Sequence, residues 1–205
     1  MQIIKINQKN FKEILKTTLK AIEQEKVIVC PTDTVYGLIC DAKNKKAVEK
    51  LFKIKKRPKI KPIPIFIKDL RQAKTLAKIN KKQESFLKSA WPGKVTAVLK
   101  RTRLRQGYGG QRKIKLYGVD KKTIALRIPK YKLINKLLII INSPLTGTSA
   151  NISNQTPPIK IKEIINQFKK EKFQPDLIID AGNLPKNKPS TVIDLTVSPP
   201  KILRP

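Results

Sequence analysis

The 205-residue chain contains no histidine. This absence excludes serine–histidine–aspartate triads, histidine proton shuttles and histidine-ligated zinc. Cysteine occurs only at Cys30 and Cys40, which form no CxxC pair. The sequence therefore predicts no cysteine metal framework, and it favours a reducing, cytoplasmic location. Any catalysis must use lysine and arginine charge, hydroxyls, backbone N–H groups or a metal carried by the substrate.

Long hydrophobic runs are also missing. The densest, at 137–141, has five apolar residues, whereas a membrane-spanning helix needs about 20. The first residues, MQIIKINQKNFKE, lack the apolar segment of a secretory signal, so we expect no membrane association. With 40% hydrophobic residues the chain can bury a core, and its length fits a single domain over residues 1–205.

Acidic residues are scarce. The chain has 14 of them against 46 lysines and arginines, a formal charge of +32, which attracts nucleotides and nucleic acids. However, 38 of the basic residues are lysine and 29 residues are isoleucine, a composition typical of AT-rich genomes. Much of the charge is then solvated lysine, and the eight arginines are more informative because arginine suits bidentate phosphate recognition.

Half of the eight glycines and four of the arginines fall within residues 101–120. This composition predicts a flexible basic insertion on the surface. Mixtures of arginine, glycine and tyrosine also bind single-stranded nucleic acid, so an RNA-contacting arm is the alternative.

Apolar periodicity alternates between that of helices and that of strands along the chain. Residues 11–22 have helical spacing, and 27–30 form a β-branched run that ends at a proline. Similar pairs recur to the C-terminus, with strands predicted at 95–100, 145–149 and 177–180. The sequence therefore predicts an α/β domain with a sheet of mixed direction.

Three polar segments lie next to predicted strands, where α/β proteins commonly bind ligands. They are PTDTVYGL at 31–38, the cationic KKRPKIKP at 55–62 and TSANIS at 148–153. Hydroxyls, cations and backbone N–H groups suit phosphates. Ordinary turns, a solvated charge run and a helix cap are the structural alternatives. The sequence contains neither a P-loop nor a GxGxxG fingerprint.

Six motifs occur together in an order that resembles the YrdC-like threonylcarbamoyl-AMP synthases in their single-domain form. They are PTDTVYGL, the KxR of Lys55 and Arg57, WPG at 91–93, ALRIP at 125–129, TSANIS and PSTVIDL at 189–195. The resemblance runs from about residue 11 to 204 and leaves out the 101–120 stretch.

This resemblance implies an α/β fold with a twisted mixed β-sheet, flanking helices and a concave basic face. It also implies a nucleotidyltransferase that condenses L-threonine, bicarbonate and ATP into threonylcarbamoyl-AMP and pyrophosphate. ATP would enter with Mg²⁺ carried on its phosphates, so no metal-binding residue is implied. tRNA and the proteins that transfer the threonylcarbamoyl group to it are the implied partners.

The resemblance also implies residue roles. Catalysis would fall to Lys55 and Arg57, which would hold the ATP phosphates. L-Threonine would contact Thr34, Arg127, Gly147 and Ser190. The nucleotide would contact Arg57, Lys61, Thr123, Ser149, Asn151 and Arg204.

Three positions depart from the family pattern. Several members carry asparagine where this chain has Lys61, histidine where it has Phe66, and glycine where it has Asn154. Two other functions remain open from the sequence. One is a non-catalytic module that binds double-stranded RNA or tRNA, and the other is a carbamoyl-handling domain like those of hydrogenase-maturation proteins.

Overall fold

A computed structural model describes residues 1–102 and 114–205. Six helices lie in these residues: α1 (Phe11–Glu23), α2 (Lys45–Lys55), α3 (Leu70–Leu76), α4 (Lys81–Ala90), α5 (Lys132–Ile141) and α6 (Ile161–Lys169). The strands of the described residues are β1 (Gln2–Lys5), β2 (Ile28–Cys30), β3 (Gly37–Ile39), β4 (Ile65–Phe66), β5 (Val95–Lys100), β6 (Thr123–Arg127), β7 (Leu145–Thr146), β8 (Thr148–Ser149), β9 (Leu177–Asp180), β10 (Thr191–Asp194) and β11 (Lys201–Arg204). The predicted α/β class is confirmed. None of these helices is long and apolar enough to cross a membrane within the described ranges.

Three of the described helices, α2, α3 and α4, begin where short polar side chains satisfy free backbone N–H groups. Asn44 accepts a hydrogen bond from the Ala47 amide at the start of α2, and Asp69 accepts one from Gln72 before α3. Asn80 and the third residue of α4 form a capping box. Each cap stabilises the residue at which its helix starts.

The strands form two mixed sheets instead of the single sheet that we expected. One has the order β1-β9-β2-β3-β8 and the other β11-β10-β5-β6-β4-β7. Apolar residues of both sheets and of the helices are fully buried, including Ile14, Leu51 and Leu126. The hydrophobic core therefore comprises several clusters packed against the two sheets.

The strand predicted over 145–149 is divided at Gly147. Its first half, β7, pairs with β4 in the second sheet, and its second half, β8, pairs with β3 in the first. The Gly147 amide donates to the Pro64 carbonyl at 2.8 Å, and a Cβ on Gly147 would lie 2.6 Å from Cζ of Phe66. The glycine thus allows one short segment to join both sheets.

The predicted insertion at 101–120 is described only in part, because residues 103–113 lie outside the described ranges. Its last residues pack on the domain: Leu116 is 7% exposed within the core. The Gly118 carbonyl accepts a 2.7 Å hydrogen bond from the Ile63 amide, and Gly118 has φ +70°, a conformation that favours glycine. The 114–120 end is therefore part of the packed structure, and the insertion itself stays a prediction.

Candidate active site

A cavity of about 440 Å³ lies where strands of both sheets meet the 57–62 segment. Of the eleven residues to which we assigned roles, eight line it: Thr34, Arg57, Lys61, Arg127, Gly147, Ser149, Ser190 and Arg204. Lys55, Asn151 and Thr123 do not. The fold thus brings together residues from segments that are far apart in the sequence.

The lining of the cavity is cationic. It includes Arg57, Lys61, Arg127 and Arg204, and no aspartate or glutamate from the described residues joins them. Apolar side chains such as Val98 complete the wall. Cations that converge in a partly desolvated pocket favour an anionic ligand.

Arg127 is the most buried of these cations, at 4% exposure. Its Nε donates to the Gly93 carbonyl at 2.9 Å, one terminal nitrogen donates to Thr34 Oγ1 at 3.2 Å, and the other donates to Asp33 Oδ1 at 2.6 Å. Burial lowers the pKa of the guanidinium, whereas the Asp33 carboxylate opposes that shift. A guanidinium has five N–H groups, so two are left for a ligand carboxylate.

The hydroxyl of Thr34 has a defined orientation. Thr32 Oγ1 donates its proton to the Val35 carbonyl at 2.6 Å, so in the 3.0 Å contact between the two threonine hydroxyls Thr34 is the donor. One lone pair of Thr34 accepts from Arg127. The other lone pair is therefore available to a hydrogen-bond donor on a ligand.

Ser190 and Arg204 form a second polar group on the cavity wall. Arg204 donates to the Ser190 carbonyl at 3.0 and 2.6 Å and to Ser190 Oγ at 3.2 Å. Ser190 Oγ also lies 2.8 Å from Oγ1 of the buried Thr96. Burial lowers the pKa of Arg204. These contacts hold the Ser190 hydroxyl and the Arg204 charge side by side.

The Arg57 side chain donates hydrogen bonds to the backbone of its own cationic segment. Its Nε donates to the Lys61 carbonyl at 3.0 Å and its Nη2 to the Pro62 carbonyl at 2.8 Å. The Lys61 amide donates to the Pro58 carbonyl at 3.0 Å. Burial lowers the pKa of Arg57. The prolines and these bonds stiffen the segment, which places Ile60 and Lys61 at the mouth of the cavity.

Lys55 lies below the cavity, at 2% exposure. Its Nζ donates to the Ser149 carbonyl at 2.5 Å, the Asn151 carbonyl at 2.8 Å and Asn151 Oδ1 at 3.2 Å. Desolvation lowers the pKa of Lys55 to about 7, and the charge of Arg57 acts in the same direction. Lys55 and Asn151 therefore support the loop that carries Ser149.

Thr123 stands apart from the cavity. It is on the same face of β6 as Ala125 and Arg127, because alternate residues of a strand share a face, but only those two are lining residues. Its amide and hydroxyl donate to Asp120 at 2.8 and 3.2 Å. A nucleotide contact at Thr123 remains a prediction.

Four residues that contribute to the site received no role from the sequence. Asp33 and Thr32 orient Arg127 and Thr34, Thr96 contacts Ser190, and Phe66 lies under Arg127 with its ring centre 5.8 Å from the guanidinium carbon. The PTDTVYGL motif contained a signal for the first two. Nothing in the strand pattern of β5 distinguished Thr96.

The side chains of the described residues do not fit a resident metal. No group of three or more aspartate, glutamate or cysteine side chains occurs within 1–102 and 114–205. The carboxylate of Asp33, which contacts the lining residue Arg127, is already paired with that guanidinium. Hard cations such as Mg²⁺ prefer several oxygen ligands.

The two-sheet fold and this cavity define an α/β protein with a cationic pocket between strands of its two sheets. The family model described as Telomere recombination, which groups the Sua5, YciO and YrdC proteins, matches residues 20–205. The chain therefore belongs to the Sua5/YciO/YrdC family, as its motifs indicated.

Individual relatives cover nearly the whole chain. A protein of Methanocaldococcus jannaschii is 34% identical over 195 residues, which are 95% of this chain and 86% of the relative. The threonylcarbamoyl-AMP synthase of Pyrococcus abyssi is 35% identical over 90% of this chain, which spans 51% of that protein. The crystal structure of P. abyssi Sua5 complexed with L-threonine has a TM-score of 0.81 at 30% identity, and it covers 100% of this chain and 56% of that one.

Proposed function

We propose that the chain is an L-threonylcarbamoyladenylate synthase that uses L-threonine, bicarbonate and ATP. The observation that carries this proposal is the convergence of eight assigned residues on one cationic cavity. Relatives named threonylcarbamoyl-AMP synthase and the threonine complex of P. abyssi Sua5 support it.

The buried end of the cavity suits the amino acid. The two remaining N–H groups of Arg127 bind the threonine carboxylate, and the free lone pair of Thr34 accepts from its ammonium or hydroxyl. Ser190 faces the same cavity from β10's N-terminal side. Gly147 lines the cavity without a side chain, because the Phe66 ring occupies the place that its Cβ would take.

The reaction has two bond-forming steps. The threonine nitrogen bonds to the carbon of bicarbonate, water leaves, and the ammonium proton goes to solvent. A carbamate oxygen then bonds to the α-phosphorus of ATP while the bond to the bridging oxygen breaks, which releases pyrophosphate. Negative charge on the phosphate oxygens is stabilised by Arg57, Lys61 and Arg204 at the cavity.

ATP enters as its magnesium complex, so the ion belongs to the substrate. Its role is to neutralise charge on the phosphates. The chain's own contribution is positional: Arg57 and Lys61 lie on a stiffened segment and Ser149 lies on a supported loop. Reacting groups held in place lose less entropy at the transition state.

The direct test is pyrophosphate release by the purified chain with ATP, Mg²⁺, bicarbonate and L-threonine. Omission of any one substrate should abolish the release, and the product should be threonylcarbamoyl-AMP by mass spectrometry. Serine lacks one methyl group, so it should react more slowly by only about 10–200-fold. Equal rates with an unrelated amino acid such as phenylalanine would contradict threonine as the substrate.

We further propose that the product is passed to tRNA by transfer proteins. The net charge of +32 also favours the second candidate, a non-catalytic module that binds RNA. The two candidates differ in one measurement: an RNA-binding module binds tRNA with a strong salt dependence but releases no pyrophosphate.

A further inference from the structure

Lys55 has no N–H group left for a ligand. An ammonium carries three N–H donors, and three oxygens of Ser149 and Asn151 lie at 2.5, 2.8 and 3.2 Å from Nζ. The side chain is 2% exposed and is not part of the cavity lining. A phosphate contact of the kind implied by the resemblance would need at least one of these bonds to break.

The side-chain amide of Asn151 likewise has no hydrogen-bonding group left for a ligand. Its Oδ1 accepts from Lys55 Nζ and from Ser149 Oγ at 2.6 Å. Its Nδ2 donates to the carbonyls of Ile152 at 2.9 Å and Gln155 at 2.5 Å. A carboxamide offers two donors and two acceptor lone pairs, so all four are used. Of Lys55, Ser149 and Asn151, Ser149 is the residue that reaches the cavity.

The backbone of the loop is bonded to the same helix end. The Ser153 amide donates to the Lys55 carbonyl at 2.8 Å, so Lys55 contacts the loop through its main chain and its side chain. On the other side, the Ala150 amide donates to the Tyr36 carbonyl at 2.8 Å. The loop is thus held between the end of α2 and the residue before β3.

We propose that Lys55 is a positioning residue: with Asn151 it fixes the loop that presents Ser149 to the cavity, and it acts on the substrate only through that loop. This inference rests on the proposed function only in taking ATP to lie against Ser149. The Ser149 hydroxyl donates its proton to Asn151 Oδ1, so its oxygen meets the nucleotide as an acceptor. An apolar side chain of similar length could not hold the loop in this way, because the Ser149 and Asn151 carbonyls would lose their hydrogen-bond donor. The ammonium form fits best, since a neutral amine has two N–H groups for three acceptors.

The wild-type protein gives the first test. In protein with ¹⁵N-labelled lysine at pH 6, below the pKa of about 7, the Lys55 ammonium should give a slowly exchanging NMR signal before any ligand is added. Saturating Mg·ATP should leave that signal protected and little shifted. A signal that becomes protected only with ATP would overturn the proposal, because it would show a direct phosphate contact.

The second test uses Lys55→Met, with Lys46→Met at an exposed position of the same helix as the control. In the ligand-free protein, the Lys55 variant should raise hydrogen exchange at the Ala150 and Ser153 amides about ten- to a hundredfold, the loss expected for a charged hydrogen bond. Its affinity for Mg·ATP should fall as well. The control should change neither.

Weaker ATP binding with unchanged loop exchange would overturn the proposal, and so would no change in either. If Lys55→Met does not fold, the wild-type NMR experiment still decides. The amide exchange is measured without substrate and the lysine NMR test adds only Mg·ATP, so neither depends on turnover. Failure of the proposed function would appear instead as absent pyrophosphate release by the wild-type chain.

Discussion

Replacement of Arg127 by methionine should destabilise the fold far more than the loss of an ordinary ion pair. Arg127 and Asp33 have side chains 4% and 9% exposed, and they are 2.6 Å apart. Methionine keeps the apolar stem of arginine without its guanidinium, so it leaves the Asp33 carboxylate buried without a partner. Its second oxygen, Oδ2, is already buried with no hydrogen-bond partner among the described residues.

The structure sets the size of the effect. Removal of one partner of a buried pair costs about 3–5 kcal/mol. Two further acceptors, the Gly93 carbonyl and Thr34 Oγ1, also lose their donor. Urea unfolding followed by circular dichroism should therefore show a free energy of unfolding lower by about 3–5 kcal/mol. Threonine-dependent pyrophosphate release should be lost as well.

A double variant separates the electrostatic cause from simple loss of packing. Arg127→Met combined with Asp33→Asn removes both charges, so it should be more stable than Arg127→Met alone, while still lacking activity. The matched control is Lys74→Met, which breaks the more exposed pair with Glu84 and should cost far less stability. A cost for Arg127→Met as small as that of the control would refute the reasoning, as would a double variant no more stable than the single one.

Three other substitutions test the structure. Arg57→Ala should retain the fold and lower the rate of adenylate formation about 10²–10³-fold, and near wild-type turnover would remove Arg57 from the catalytic set. Gly147→Ala should cost about 1–3 kcal/mol of unfolding free energy because its Cβ meets the Phe66 ring, and Phe66→Leu in the same chain should recover part of the loss. Leu116→Ala should cost about 2–5 kcal/mol, since Leu116 is in the core, whereas an insertion lacking packing at that end would tolerate it.

Elements with strong local patterns could be predicted from the sequence. The strands at 95–100 and 177–180 have the predicted bounds, because runs of β-branched residues between turns specify them locally. By contrast, β3 begins within the polar segment at 31–38, where the sequence predicts no strand. Only three residues form it, and it exists because it pairs with β2 and β8. The division of 145–149 likewise depends on partners far away in the sequence.

The same limit applies to the site. Motifs identified eight of the residues that line the cavity, but they could not separate residues that face it from residues that support it. Residues of the KxR and TSAN motifs are all polar. Lys55 and Asn151 are nevertheless buried outside the cavity, whereas Ser149 lies on the cavity wall. Asp33 meets Arg127 across 94 residues of sequence, and no local pattern specifies that pairing.

The lack of histidine agrees with the chemistry that this cavity favours. A carbamate is already an anion at neutral pH, and pyrophosphate bound to Mg²⁺ leaves without a proton, so adenylate formation needs no group that exchanges protons near neutrality. It needs fixed positive charge instead, and guanidinium groups keep theirs at any physiological pH. Arg57 and Arg204 each donate to backbone carbonyls, which orients their charges before the substrate arrives. Preorganised charge of this kind lowers the barrier because it does not have to rearrange during the reaction.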